Sequence, residues 1–546
     1  MRGIGLTRPS LDGSRFDVIV IGGGINGVAI ARECARGGKR TLLLEQHDFA
    51  SGTTSRSTRI IHGGLRYLEH REIGLVRESL RERERLLRER SHLVRPMTFL
   101  LALPASGRHS AMAIRAGLWL YGAMAGNRGP AESKADELER LLDSGQPWSI
   151  FHYDDAQCEF PERLVAEWLR EAMHDGAVAR NYTRVIAIET AFGQARNVVL
   201  RDLLNHSEAR VDAEFIINAS GPWADQVCAT SMMKVERPLV GGIRGTHLLL
   251  PMFPGMPDSA VYTEATDGRP IFLVPWNKRL LVGTTEVRDD GDPSQTEPSP
   301  DEVEYLFASV KKLFPSIPLG WSDVECAFAG VRPLPYSPGD KPSAVTRRHR
   351  LHDHAADGAK GMITVVGGKL TTAASLAREC ARAVGVRVAD AEISIAAAPN
   401  ADTIDSALRE WSRQVAALAG VSEASARAIA EWHGRSAMCI ARTASVDEAL
   451  RRPLCPHSDH IVAEAVEAVE HEGAARLADI LLRRVPVALS ACWSSDCTYI
   501  AARRIGAVLG WDDERLALET EAAEEERAAF LRRVPQPVGS ASERAG

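Results

Sequence analysis

The chain has 546 residues, more than one hydrophobic core serves, so two or three domains are expected. Hydrophobic content of 45% and charged content of 25% suit an ordinary globular protein, and a net charge of −6 argues against nucleic acid as the main partner, since phosphate binding needs a basic excess. Nine cysteines in so long a chain, with no secretory leader, read as reduced cytoplasmic thiols.

Residues 1–15 are polar, lack an apolar h-region and read as a loose arm. Phe16 to Ile21 is a short β-branched run closed by Gly22 to Gly24, the pattern of a buried strand. Ile25 to Arg36 reads as a helix stopped by Gly37 and Gly38, and Arg40 to Leu44 as a second strand ending at Glu45. Strand, helix and parallel strand in about 30 residues make a βαβ unit. Gly22-x-Gly24-x-x-Gly27 lies where that unit binds a dinucleotide. Gly22 permits the tight turn, Gly24 the approach of a pyrophosphate, and Gly27 close helix packing. Ile25 and Asn26 open the helix, whose free N–H groups and positive dipole end face the phosphates. Glu45 stands where a carboxylate binds an adenosine ribose hydroxyl.

Ala50 to Arg59 follows, and its Thr53, Thr54, Ser55, Ser57 and Thr58 suit hydrogen bonding to a diphosphate or flavin edge. In Ile61 to Leu68, Gly63 and Gly64 let the backbone pass close to a ligand, while His62, Arg66 and Tyr67 supply polar tips. Leu75 to Arg90 reads as a helix with an ion-paired outer face. Met112, Ile114, Leu118, Trp119, Leu120 and Tyr121, flanked by Arg108 and Arg115, form an apolar helix. It either packs in a substrate domain, the preferred reading, or lies on a membrane surface. No stretch is long and apolar enough to span a bilayer, so any membrane contact is peripheral.

The middle of the chain is strand-rich, with candidates at Ala213 to Ala219, Thr246 to Leu250, Pro270 to Pro275, Leu280 to Gly283 and Met362 to Val366. Ile217 to Ala224, carrying Ala219, Gly221 and Trp223, follows a strand as a segment beside a cofactor would. Val365 to Thr372 is a strand turning through Gly367 and Gly368 into a helix near Thr371, a second helix start able to face an anion. Late segments folding back onto an N-terminal Rossmann unit are the plan of large flavoproteins. Beyond about residue 395 the period becomes helical, as in Ile404, Leu408, Trp411, Val415 and Leu418. The tail beyond Pro535 is polar and expected to be disordered. Cys455, His457 and His460, and the Cys492/Cys497 pair, lack standard zinc spacing, so no metal is assigned.

Several motifs in order now carry a resemblance over roughly residues 15–525: Ile61 to Glu69 (IHGGLRYLE), Asn218 to Trp223, Pro275-Trp276 with Gly283-Thr284-Thr285, Gly330 to Leu334 (GVRPL), Gly367 to Thr372 (GGKLTT), Leu477 to Arg484 and Leu509 to Trp511. Together they resemble the FAD-dependent, quinone-linked glycerol-3-phosphate dehydrogenases. The resemblance implies an α/β fold, α+β overall. A Rossmann-like FAD-binding domain (16–105, 160–245 and 345–395) carries an inserted strand-rich substrate domain (106–159 and 246–344), and a helical C-terminal domain (396–535) follows. It also implies that Arg66, Tyr67, Arg332, Arg347 and Lys369 surround a phosphorylated substrate, where a dianion needs several cations and Arg offers a bidentate fork. Arg348, next to Arg347, leaves the register there open. His62 and His247 match the candidate bases, each equally readable as a buried structural histidine, and Arg332 or Lys369 would stabilise the developing carbonyl oxygen. The glycine turn, Glu45, the 53–58 hydroxyls, His62 to Gly64, Val185, Ala219, Gly221, Trp223 and Gly368 to Thr371 would hold FAD.

The implied reaction oxidises glycerol-3-phosphate to dihydroxyacetone phosphate and passes electrons to a membrane quinone, on the cytoplasmic face of the inner membrane. The resemblance leaves a homodimer open. Glu286 stands where the family usually has Asp, Val485 where Thr is common, and Phe160 to Leu164 where an Asp-Ala-Arg-like segment is usual. Other readings are an oxygen-using oxidase of the same fold, a flavoprotein acting on amino or hydroxy acids, and a non-catalytic flavin-binding paralogue.

Overall fold

The structure is a computed structural model and describes residues 8–69, 72–104, 111–126, 136–265, 267–387 and 403–534. Most of the expected arm and all of the tail beyond 534 lie outside the described residues. So does Arg108, and so does the side chain of Arg66.

The first sheet grows outward from the βαβ unit. Strand Arg15–Ile21 pairs in parallel with Thr41–Leu44 on one side and Glu208–Asn218 on the other. Val178–Arg180 and Met362–Val366 extend it in parallel, and Arg350–Asp353 closes one edge antiparallel. Alternate residues of the first strand serve two different cores. Val18 and Val20 pack with Val28, Ala29 and Leu376 of the helices Ile25–Arg36 and Ala373–Ala383. Ile19 and Ile21 pack with Val185, Val198 and Leu200 from the hairpin of Thr183–Ala191 and Gln194–Asp202. With both faces covered, a near-continuous apolar run is what the strand requires.

The second sheet has nine strands and is mostly antiparallel. Val240–Pro251 pairs along its length with Cys326–Pro335 and also with Arg279–Gly283. Helix Pro300–Leu313 packs against this sheet. It starts on a capping box between Ser299 and Glu302, with Pro300 at the first turn, where its missing N–H costs nothing. Val94–Pro104, grouped by sequence with the nucleotide-binding segments, belongs to this sheet, and the expected 245/246 boundary falls inside Val240–Pro251. The chain therefore changes sheets in the connections that precede these strands, in the second case between Asn218 and Val240, and not at the expected boundaries.

The C-terminal region is helical, from Ile404–Ala419 to Asp513–Phe530. Gly420 and Gly510 end helices in the left-handed region, at φ +67° and +73°. Buried ion pairs fasten it to the rest. Arg484 donates to both oxygens of Asp48 at 2.6 and 2.8 Å, and Arg483 also donates to Asp48. Arg163 forks onto Glu472 at 2.7 and 3.1 Å.

Two helices depart from expectation in part. Ile73–Glu89 does carry a half-buried Arg85–Glu89 pair on its outer side, but Arg83 and Glu82 turn inward, binding Asp155 and Arg378. The apolar helix Ala111–Ala125 packs by one face, with Leu118 against Leu101, Leu103 and Phe151 of the second sheet and Tyr121 against Val76 and Leu80, while its other face is open. It buries only Leu118 and Tyr121, and leaves Met112 80% and Trp119 62% exposed. Among the described residues no helix is long and apolar enough to cross a membrane.

Candidate active site

The glycine turn forms as its spacing requires. Gly22 has φ +108°, and a Cβ there would lie 2.6 Å from the Ala219 carbonyl. A Cβ on Gly27 would meet the Gly22 carbonyl at 1.8 Å, so helix and turn close only without side chains. At Gly24 the nearest atom is Thr54 Oγ1, at 3.3 Å, which leaves this face the more open one. Glu45 accepts from the Gly23 N–H at 2.6 Å and the His47 N–H at 2.8 Å. Burial raises its pKa, against those two bonds. Each carboxylate oxygen keeps acceptor capacity for a ribose hydroxyl.

The hydroxyl-rich segment mainly builds its own wall. Thr54 Oγ1 accepts from the Ile25 N–H at 3.0 Å, Thr53 donates to the Val331 carbonyl at 2.8 Å, and Ser55 donates to the Ala50 carbonyl at 2.7 Å. Ser57 accepts from the Arg59 N–H. Trp223 packs over Gly52, and Gly221 next to it has φ +62°. Val185 is buried in the core beneath the first sheet. Gly367 and Gly368 have φ of +86° and +102°, and a Cβ on Gly368 would strike the Asn26 amide at 2.4 Å. Two helix starts thus converge, at Asn26 and at Thr371–Thr372, with Leu370 half-buried between the second turn and its helix. Asn26 Oδ1 and Thr372 Oγ1 are buried there without hydrogen-bond partners. Orphans of that kind cost about 1–3 kcal/mol each unless a ligand engages them, so these residues fit a bound dinucleotide.

Beside this cradle the cations gather. Lys369 Nζ donates to Ser79 Oγ at 2.9 Å and stands 4.5 Å from the Tyr67 ring centroid. Burial pushes its pKa down to about 8, with Arg347 adding to the effect and Glu78 and Glu72 opposing it. Arg347, not the exposed Arg348, turns inward and binds Glu286 at 2.5 Å, while its Nη1 is buried and unpartnered. Arg332 donates to Thr284 Oγ1 at 2.9 Å and to the Thr285 carbonyl at 3.3 Å, next to Glu286 in sequence. A chain of neighbours therefore links Tyr67, Lys369, Arg347, Glu286 and Arg332.

The two histidines differ. His247 is 1% exposed, stacks on Phe328 and shares a 2.9 Å hydrogen bond with Thr58 through Nε2. Burial, with Arg332 and Arg59, lowers its pKa to about 3. His62 is half-buried, and its own N–H donates to Thr371 Oγ1 at 3.3 Å. Burial, then Lys369 and Arg83, lowers its pKa to about 4. Both rings are neutral at pH 7 and able to accept a proton.

Residues that carry no sequence motif hold the His62–Gly64 turn. The Gly63 N–H donates to the Tyr121 hydroxyl at 2.9 Å and lies 3.3 Å from Asp155, which Arg83 and Tyr121 also engage. Burial raises Asp155 to about 6 despite those partners. Tyr121 is visible in the sequence only as one apolar helix position, and Asp155 as one polar strand position. Arg66 opens the short helix Arg66–Glu69 that follows the turn.

A parallel sheet, a glycine turn under a helix start and a late strand returning to it define a flavin-dependent oxidoreductase. A family model described as FAD dependent oxidoreductase matches residues 17–382, and one described as the C-terminal domain of alpha-glycerophosphate oxidase matches 363–516. The chain is 40% identical over 380 residues to a glycerol-3-phosphate dehydrogenase of Synechocystis sp., covering 67% of this chain and 69% of that protein. It is 32% identical over 510 residues to glycerol-3-phosphate dehydrogenase 2 of Mycobacterium bovis, covering 91% and 85%. The glycerol-3-phosphate dehydrogenase of Bacillus halodurans, solved complexed with FAD, matches with a TM-score of 0.75 at 25% identity over 96% and 97% of the two chains. The chain belongs to the FAD-dependent glycerol-3-phosphate dehydrogenase family, and its cofactor is FAD.

Proposed function

We propose that this chain oxidises sn-glycerol-3-phosphate to dihydroxyacetone phosphate and passes the electrons to a membrane quinone. FAD, held by the glycine turn, Glu45 and the Gly367–Thr372 segment, supplies the hydride acceptor. The observation that carries the reading is the partly neutralised charge of Lys369 and Arg347 beside the His62–Gly64 turn, with Arg347 Nη1 buried and unpartnered. A phosphate dianion satisfies that donor and balances both charges. Tyr67 stacks against Lys369 and fixes its direction. With the phosphate end so anchored, the carbinol end reaches the neutral His62 imidazole, which takes the C2 hydroxyl proton at a ring nitrogen. Arg332 faces the oxygen on which charge develops as the carbonyl forms. His247, enclosed and tied to Thr58, positions the wall behind it.

Anaerobic titration of the purified yellow holoprotein with glycerol-3-phosphate tests the substrate. Bleaching of the flavin band is the expected result. Bleaching by an amino acid but not by glycerol-3-phosphate overturns the reading.

The exposed helix Ala111–Ala125 favours a membrane acceptor over oxygen. Met112, Trp119 and Leu120 face solvent on a helix whose sequence holds one charge, Arg115, suited to lipid headgroups. Trp119→Glu is expected to lower affinity for anionic phospholipid vesicles about tenfold or more, ~1.4 kcal/mol, in a co-sedimentation assay. Turnover with a water-soluble acceptor stays unchanged. Undiminished vesicle binding removes this helix from the membrane contact, and reoxidation by air faster than by a quinone analogue removes the quinone.

A further inference from the structure

Away from the flavin, the helical domain brings soft ligands together. The loop 452–461 doubles back: the Leu454 N–H donates to the His460 carbonyl at 2.7 Å, and the Ser458 N–H to the Cys455 carbonyl at 3.2 Å. That turn sets His457 beside Cys455. Cys497 lies in the first turn of helix Ser495–Leu509, where the Ser494 hydroxyl accepts from its N–H at 3.4 Å. Cys455 Sγ, a ring nitrogen of His457 and Cys497 Sγ all lie within 4.8 Å of one another, and His457 Nδ1 is 3.4 Å from Cys497 Sγ. A tetrahedral zinc, with Zn–S of about 2.3 Å and Zn–N of about 2.0–2.1 Å, separates sulfur and nitrogen by about 3.6 Å. The His457 Nδ1–Cys497 Sγ spacing is thus already close to that of a coordination shell, with Cys455 Sγ within reach of both.

We propose that Cys455, His457 and Cys497 form a zinc site that ties the 452–461 loop to helix Ser495–Leu509, with water in the fourth position. Two thiolates and an imidazole are soft and borderline ligands, which favour zinc over magnesium or calcium. Both cysteines are essentially buried among Leu454, Ile461 and Ala501, while the exposed His457 closes the site on the solvent side. Binding breaks two S–H bonds and forms two Zn–S bonds. The two protons go to solvent, and no electron is transferred. Because His457 and Cys497 are 40 residues apart, the site is assembled by folding and has no finger-like spacing, so sequence alone assigns no metal here.

The test uses the FAD holoprotein, stripped with a chelator under reducing conditions, incubated with zinc chloride, desalted and analysed for metal. About one zinc per chain is expected, with a rise in the melting temperature. Cobalt in place of zinc is expected to give the intense charge-transfer absorption of a thiolate site. Cys497→Ser and His457→Ala should each weaken zinc binding at least about tenfold and abolish the thermal shift, with FAD content unchanged. His457 is exposed, so its alanine variant tests the site without emptying the core. Wild-type protein that retains no zinc, retention in both variants equal to that of the wild type, or a Cys455–Cys497 disulfide in the protein as isolated overturns the proposal.

Discussion

Two regions of the molecule bury positive charge, and they treat it in opposite ways. Where the helical domain meets the flavin domain, charge is matched. Asp48 receives Arg484 through both oxygens and Arg483 besides, and Arg163 forks onto Glu472 while donating to the Arg484 carbonyl. Burial alone would raise Asp48, but Arg484 and Arg483 hold it down to about 2. In the candidate active site, charge is only partly matched. Lys369 rests on a neutral hydroxyl and an aromatic face, and Arg347 keeps a buried donor unused. A buried cation held by carboxylates cements structure. One held by neutral groups carries a standing cost that an incoming anion removes. The same residue types therefore mark a joint in one place and a binding site in the other, and the carboxylates around them tell the two apart.

The largest effect that tests this contrast is at the joint. Arg484→Ala leaves Asp48 buried with one guanidinium partner fewer and should cost about 3–5 kcal/mol of stability, read by chemical unfolding. KM for glycerol-3-phosphate in the folded fraction should not change. Because the folded pKa of Asp48 is depressed from the ordinary ~3.9, its contribution is present above that value and fades as pH falls toward about 2. A loss below ~1 kcal/mol would remove the joint from the comparison.

Next in size is Lys369→Ala. Loss of a charge-assisted contact to phosphate should lower kcat/KM by about 30- to 150-fold, equivalent to ~2–3 kcal/mol. Stability should hold or rise, because a buried charge near Arg347 disappears. The wild-type pH profile carries the same information. Lys369 loses its proton above about pH 8, so kcat/KM should decline as pH rises through that value. In Lys369→Arg the decline should move beyond the measurable range, since arginine stays charged. A profile unchanged by that substitution would exclude Lys369 as its cause.

Much of this molecule was legible in the sequence, and the limits have physical causes. The helix Ile25–Arg36 and strand Met362–Val366 begin and end where the apolar runs and glycines place them, because local chemistry decides those ends. The convergence of His62, Tyr67, Lys369, Arg347 and Arg332 followed from the resemblance, and no local pattern announces it. The inward turn of Arg83 and the Tyr121–Asp155 support of Gly63 were not legible, since each depends on a strand more than thirty residues away in sequence. The two faces of Ala111–Ala125, one packed and one open, were not separable for a related reason: apolar spacing records that a face avoids water, and a lipid surface satisfies it as well as a core.

The smallest predicted effect lies where the two kinds of cation meet. Glu286 pairs with Arg347 at 2.5 Å, with both side chains little exposed, so this pair could belong to either class. The pair belongs with the site, because Arg347 keeps a second, unsatisfied donor and lies near enough to Lys369 to depress its pKa. Glu286→Gln retains the shape and an acceptor but removes the negative charge. Arg347 then presents more positive charge to the phosphate, and KM should fall about two- to fivefold, within ~1 kcal/mol, with kcat nearly unchanged. The same loss leaves Arg347 less screened toward Lys369, so the alkaline decline should move to lower pH. A substitution that instead raises KM and costs about 3 kcal/mol or more of stability makes the pair a joint like Asp48–Arg484. The distinction between matched and poised cations would then fail at Glu286.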